Sequence, residues 1–121
     1  MLERIQDAPA HTLALNASGT VMARDIEAAI NASIGPSSAA SGLVVVIDRD
    51  FDGYFAELAR GLANVALAHR SLVKLAVVAD SDRMDEAKVS GFNASPVPVR
   101  LFAAANRNLA LDWAAGARRG E

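Results

Sequence analysis

The sequence predicts an α/β fold with a mixed, mostly parallel sheet of four to five strands and about four helices. Residues 43–47 are a continuous apolar, mostly β-branched run, and residues 73–80 form a second, mainly apolar run that ends in Asp80, which is typical of buried strands. A helical pattern follows each run, and strand and helix alternate three times along the chain. Because such crossovers are right-handed, the alternation favours parallel strands with helices packed on them.

The N-terminal part predicts a hairpin followed by a helix. Residues 12–21 alternate apolar and polar side chains on both sides of Ser18 and Gly19, a pair typical of turns. Residues 22–34 then carry one apolar stripe with a spacing of four, and Gly35-Pro36 ends it. We therefore expect an antiparallel start to the sheet, a first helix over 22–34 and a surface loop over 36–42.

The remaining elements are predicted from the spacing of apolar residues and from the positions of glycine and proline. Apolar residues three and four apart predict a helix over 54–69, in which Gly61 costs about 1 kcal/mol. Pro98 favours an edge position for the last strand, and Leu109 and Trp113 share one face of the last helix, which predicts that both pack on the sheet. The predicted elements here are a short helix over 81–89, a strand over 97–103 and a helix over 106–118.

Composition narrows the functional classes. The 121 residues fit one domain, 1–121, and the net charge of −2 with interspersed charges argues against nucleic acid as a partner. The absence of cysteine removes disulfides, thiolate metal sites and cysteine nucleophiles, and we expect no cofactor. The charged N-terminus lacks a signal-peptide pattern, and the longest strongly apolar run is too short to span a bilayer. We expect a soluble, cytoplasmic protein.

Residues 48–53, DRDFDG, resemble the start of a calcium-binding loop. Such a loop requires a bidentate glutamate at its twelfth position and a helix on each side. Here the twelfth position is Ala59, and a strand precedes Asp48. We therefore expect no metal at this segment.

Location gives the same acids another interpretation. Asp48, Asp50 and Asp52 follow one predicted strand and Asp80 follows the next, and the carboxyl ends of parallel strands line the crevice where such folds bind ligands. A simpler interpretation is that Asp52 and Asp82 cap helix starts and complement the helix dipole. The sequence favours capping over a shared site.

Several short segments carry a resemblance to a known family. They are the ASG turn at 17–19, DFDGY at 50–54, KLAVVAD at 74–80, PVRLF at 98–102 and LDWA at 111–114. In this order the chain resembles the SpoIIAA-like, STAS-related family of small bacterial domains, which implies a sheet wrapped by helices as a β-α superhelix. Related groups include anti-sigma-factor antagonists and lipid-carrying domains.

One departure from the resemblance bears on regulation. Antagonists of that kind carry a phosphorylatable serine at the helix start after the central strand, whereas this chain has Asp50, Phe51, Asp52 and Gly53 before Tyr54. An aspartate cannot gain and lose the charge that makes phosphoserine a reversible switch. We expect the serine phosphoswitch to be absent.

The resulting hypothesis is a non-enzymatic binding or regulatory module with a protein partner. The predicted site consists of Asp48, Asp50, Phe51, Asp52, Tyr54 and Asp80, with no catalytic residue. Exposed aromatics in an acidic rim suit a protein interface. The alternative for Phe51 and Phe55 is that both are core residues that fix the loop.

Other hypotheses stay open at this point. Alanine-rich helices over a sheet can leave a cavity, which permits a carrier of a small apolar ligand or lipid, although alanine also permits close packing. An enzyme would have to use His11, His69, one of the serines or one of the aspartates as its base or nucleophile, and His69 suits a role at a helix C-terminus better. A homodimer is the general expectation for assembly.

Overall fold

The computed structural model describes residues 2–5, 8–9, 11–33, 41–69, 71–89, 92 and 95–116. Its sheet has five strands in the order β1-β2-β3-β4-β5. The strands are β1 (Leu2–Arg4), β2 (Thr12–Ala17), β3 (Gly42–Ile47), β4 (Lys74–Ala79) and β5 (Val99–Ala103). β1 pairs antiparallel with β2, and every later pair is parallel. The predicted α/β class and mostly parallel sheet are confirmed.

Within the described residues, four α-helices and two 3-10 turns connect or follow the strands. The helices are α1 (Ala23–Ser33), α2 (Phe55–Ala68), α3 (Met84–Lys88) and α4 (Arg107–Ala115). The 3-10 turns Ser81–Arg83 and Ala104–Asn106 precede α3 and α4, so both predicted helices begin with a tighter turn. β5 lies at an edge of the sheet, as Pro98 predicted. Parts of three predicted elements lie outside the described residues. They are residue 34 of the first helix, residues 36–40 of the loop and residues 117–118 of the last helix.

The central strands are buried on both faces, which explains their unbroken apolar sequences. In β4, Leu75 and Val77 join a large core cluster that includes residues of α1 and α2, while Ala76 and Val78 join a smaller cluster with α4. Every residue of β4 is buried. The helices therefore cover the sheet from two sides.

The predicted hairpin over 12–21 is wrong. β2 ends at Ala17, and its antiparallel partner is the short β1, which precedes it in the chain. Gly19, at φ 63°, turns the chain toward α1. Val21 is buried in the large core cluster, so its apolar character reflects packing and not strand pairing. The alternating pattern therefore spans β2 and the turn that leads to α1.

The predicted packing face of the last helix is also wrong in part. Leu109 is 58% exposed, whereas Ala110 and Ala114 are fully buried. Trp113 is half-buried and contacts Phe102, with ring centroids 6.0 Å apart. The inner face of α4 thus consists of alanines, because only small side chains let the helix lie close to the sheet.

Two glycines mark the closest approaches between elements. A Cβ on Gly42 would lie 2.3 Å from the carbonyl oxygen of Ala114, which places the end of α4 against the start of β3. A Cβ on Gly61 would lie 2.9 Å from the Cβ of Ile26, where α2 crosses α1. The helix-propensity cost predicted for Gly61 is thus accompanied by close helix packing.

We predict that Gly42→Ala lowers the free energy of unfolding by about 1–3 kcal/mol, because the added methyl group overpacks the contact with the α4 backbone. Urea denaturation followed by circular dichroism measures this change. Ser41→Ala, at the preceding half-buried position, is the matched control and should change stability little. Equal unfolding midpoints for wild type and Gly42→Ala would contradict the close approach of α4.

Candidate functional site

Two loops meet at the carboxyl ends of β3 and β4. The register pairs Val46 with Val78, so Asp48 and Asp80 each follow at the same distance along adjacent parallel strands. Arg49 Nε lies 3.7 Å from Asp80 Oδ2 and links the two loops. The structure thereby brings the predicted acidic loops to one edge of the sheet.

Asp48 is held by β2 and by its own loop. Asn16 Nδ2 donates a hydrogen bond to Asp48 Oδ2 at 3.1 Å, and the Asp50 amide lies 3.4 Å from Asp48 Oδ1. These bonds, the Asn16 bond first, favour the charged form and lower the pKa of Asp48 from its ordinary value of 3.8. Asp48 therefore anchors the loop to the neighbouring strand.

Asp52 connects its loop to the segment that leads into α1. Thr20 Oγ1 donates to Asp52 Oδ1 at 2.6 Å, and the Asp52 amide donates to the Gly19 carbonyl at 3.0 Å. Tyr54 occupies the N-cap position of α2, so the interpretation of Asp52 as the cap of this helix is wrong. A partner in a sequence-distant loop, Thr20, holds this carboxylate instead.

Glu57 is the acid in the first turn of α2, and it also contacts α1. Its Oε1 accepts hydrogen bonds from the Ala23 amide at 3.0 Å and from Arg60 Nη2 at 3.1 Å.

Asp82 lies in the first turn of the 3-10 turn Ser81–Arg83, and Asp80 occupies its N-cap position. The dipole interpretation thus fits Asp82, without a capping role.

Phe51 and Phe55 lie in the core, each only 1% exposed, and their ring centroids are 5.5 Å apart. The alternative interpretation, that both rings fix the loop from below, is confirmed. Phe51 is therefore not part of an exposed binding surface, contrary to the prediction from the sequence.

Tyr54 is 73% exposed, and Asp50 and Asp52 beside it are also exposed. These three exposed residues, here called the Tyr54 surface, alternate along the chain with the buried Phe51 and Phe55. Its aromatic side chain projects into solvent from a loop whose base is packed. Of the predicted site residues, these three can contact a partner without rearrangement of the core.

A cleft that no sequence pattern predicted lies at the carboxyl ends of β4 and β5. It has a volume of about 580 Å³ and is lined by Arg49, Asp80, Ser81, Asp82, Arg83 and Ala103–Ala105. The guanidinium carbon of Arg83 lies 5.5 Å and 5.8 Å from the ring centroids of Phe51 and Phe55. Its Nη1 is buried and has no hydrogen-bond acceptor within the described part of the chain. No sequence signal distinguishes Arg83 from an ordinary surface arginine.

The two histidines lie apart from the acidic loops in the sequence. His69 Nε2 lies 2.7 Å from Asn31 Oδ1, and His11 is exposed at a turn with φ 61°. Among the residues that the structure describes, no three His, Cys, Asp or Glu side chains come together in a way that could hold a metal ion. The expected absence of a metal and of catalysis stays a prediction.

A helix that spans a bilayer needs about 20 predominantly apolar residues. Within the described ranges, no helix is long and apolar enough to cross a bilayer.

The fold and the loops at its carboxyl edge define an α/β domain with a mixed, mostly parallel sheet and a polar rim. The SpoIIAA-like family model matches residues 12–115, from the start of β2 to the end of α4. The chain therefore belongs to the SpoIIAA-like family, as the short segments suggested. No curated protein matches the chain.

We predict that Asn16→Ala raises the pKa of Asp48 toward 3.8, because the substitution removes the hydrogen bond that lowers it most. Carbon-detected NMR titration of the side-chain carboxyl measures the change. Thr20→Ala, which removes the bond to Asp52, is the matched control and should leave the Asp48 pKa unchanged.

The same bond makes stability depend on pH. The folded-state pKa of Asp48 lies below its unfolded value, so this contribution is present above pH 3.8 and is lost as the pH falls through the folded pKa. The stability difference between wild type and Asn16→Ala should therefore narrow below pH 3.8. A difference that stays constant across that window would contradict the assignment.

Proposed function

We propose that this protein is a non-enzymatic binding or regulatory module that acts through protein–protein contact at the Tyr54 surface. The observation that supports this most is the exposure of Tyr54, 73%, at a loop fixed by two buried rings. Membership of the SpoIIAA-like family, in which regulatory protein interaction is typical, points the same way.

The energetics of an interface favour such an arrangement. Tyrosine is among the residues that contribute most to binding free energy, because it buries a large area with few rotatable bonds. The Phe51–Phe55 contact and the Thr20–Asp52 hydrogen bond hold the loop before any partner arrives. The entropy lost on binding is then small, which increases the affinity obtained from one aromatic anchor.

The charges around Tyr54 describe the partner. Asp50 and Asp52 are two exposed carboxylates four and two residues before Tyr54 in the chain. A complementary partner surface has an apolar pocket for tyrosine with lysine or arginine at its rim, and these charges increase the association rate and fix the orientation. Asp48 and Asp80 extend the acidic character along the same edge of the sheet.

Regulation of this contact proceeds without a serine phosphoswitch. Residues 50–53, between the strand end and Tyr54, contain no hydroxyl group that a kinase could modify. Binding is then controlled by the amount of partner or by a different part of the chain.

The carrier hypothesis has less support from the packing. Ala110 and Ala114 are fully buried against the sheet, and α4 approaches Gly42 so closely that a Cβ would clash. These alanines thus serve the close approach of the helix. A cytoplasmic location and a homodimer remain expectations of this proposal.

Site-specific photocrosslinking tests the proposed interface. A benzophenone amino acid replaces Tyr54 in the full chain, expressed in cells of the source organism, and a second variant carries it at Leu67, which is 69% exposed near the other end of α2. We expect a discrete crosslinked protein from position 54 that position 67 does not give.

Competition then establishes that the crosslink reports binding. Purified wild-type protein should abolish the crosslink, whereas purified Tyr54→Ala should compete about tenfold less well, the loss typical of an aromatic anchor. Identical crosslinks from positions 54 and 67, or equal competition by Tyr54→Ala, would rule out the Tyr54 surface as the interface.

A further inference from the structure

The cleft beside Arg83 contains a positive group with unused hydrogen-bonding capacity. Nη1 of Arg83 is buried and lacks an acceptor within the described residues. A buried donor without a partner costs about 1–3 kcal/mol, and more when charged, so such groups in native proteins require an explanation. Contact with two ring faces offsets part of this cost but supplies no acceptor oxygen.

The two rings also fix the orientation of this guanidinium. Its carbon lies within 6 Å of both the Phe51 and Phe55 centroids, and these rings are themselves held in the core. A stacked guanidinium loses little further entropy when it binds, and its planar array of N–H groups matches the two oxygens of a carboxylate. Arg83 is therefore prepared for an anionic ligand.

Arg49, on the opposite loop, can join Arg83. Its contact with Asp80 is 3.7 Å long, beyond the usual range of a charge-assisted hydrogen bond, and its side chain is 91% exposed. An exposed pair of this kind contributes little to stability, so a ligand can draw Arg49 away from Asp80 at small cost.

The size and charge of the cleft describe the ligand. A volume of about 580 Å³ falls in the range of sites for small molecules. The small side chains of Ala103–Ala105 line one wall of the cleft and leave room for a ligand there. The lining carries two arginines and two aspartates, which balance in formal charge. Asp80 and Asp82 would repel a dianion more strongly than a monoanion.

We propose that this cleft is a binding site for a small monocarboxylate, whose oxygens bind Arg83 and Arg49. This proposal goes beyond the protein contact at the Tyr54 surface and does not require it. The ligand is described by its chemistry, a single carboxylate group with a small apolar body against Ala103–Ala105.

NMR titration of the full chain with sodium propionate tests the proposal. Sodium chloride at equal ionic strength and inorganic phosphate serve as comparison titrations. We expect saturable shifts of the amide signals of residues 81–83 and 103–105 with propionate, together with a shift of the Arg83 Nε–H signal. Phosphate should bind more weakly, and chloride should not reproduce these shifts.

Variants separate the site from general effects of charge. Arg83→Met keeps an apolar stem on the rings and should weaken propionate binding about tenfold, the loss expected for one charge-assisted hydrogen bond. Arg60→Met, which removes an arginine paired with Glu57 on α2, is the matched control and should bind propionate as wild type does.

Asp80→Asn gives an independent result even if Arg83→Met does not fold. It removes a negative charge and the internal competitor for Arg49, so the affinity for propionate should increase. Absence of saturable shifts, equal shifts with chloride, tighter binding of phosphate or an unchanged affinity in Asp80→Asn would each overturn the proposal. Tyr54→Ala should bind propionate normally, so the two proposals fail separately.

Discussion

The parallel pairing of β3 with β4, buried on both faces, is the constraint on which the rest of the structure depends. Each fully buried Val or Leu in these strands contributes about 1.5–3 kcal/mol relative to exposure. Their register, Val46 beside Val78, brings the loops that begin at Asp48 and Asp80 to the same edge of the sheet. A slip of one residue would turn the side chains of the slipped strand to the opposite faces, so the core fixes the geometry of the rim.

The Phe51–Phe55 pair carries this constraint from the core to the surface. The exposed Tyr54 immediately precedes Phe55 in the chain, and the guanidinium of Arg83 lies over both rings. Two proposed sites with different chemistry thus share one rigid base. Substitutions at the buried rings would affect both sites, whereas Tyr54 and Arg83 can be changed one at a time.

Sequence reasoning located the elements that are long and strongly patterned. The runs at 43–47 and 73–80, and the stripe over 54–69, have a single physical interpretation each, and the structure agrees with them. The prediction of an N-terminal hairpin was wrong because alternation alone does not reveal whether Val21 pairs in a strand or packs in a core. The prediction that Leu109 packs on the sheet was wrong because residues four apart share a helix face, but their spacing does not show that the alanines form the buried face.

The site was less accessible to such reasoning. Adjacent strand ends placed Asp48 and Asp80 together, but the Thr20–Asp52 hydrogen bond joins positions 32 residues apart and leaves no local pattern. Arg83 presents the same difficulty, since an arginine after a strand has the appearance of an exposed charge until the rings beneath it are known.

Amide hydrogen exchange combined with interstrand nuclear Overhauser effects tests the central claim most directly. The account predicts contacts between the backbones of Val45 and Val77, in parallel register, and the slowest exchange in the chain at the amides of β3 and β4. Exchange of those amides as rapid as that of exposed loops, or a contact pattern typical of helices at either segment, would contradict it.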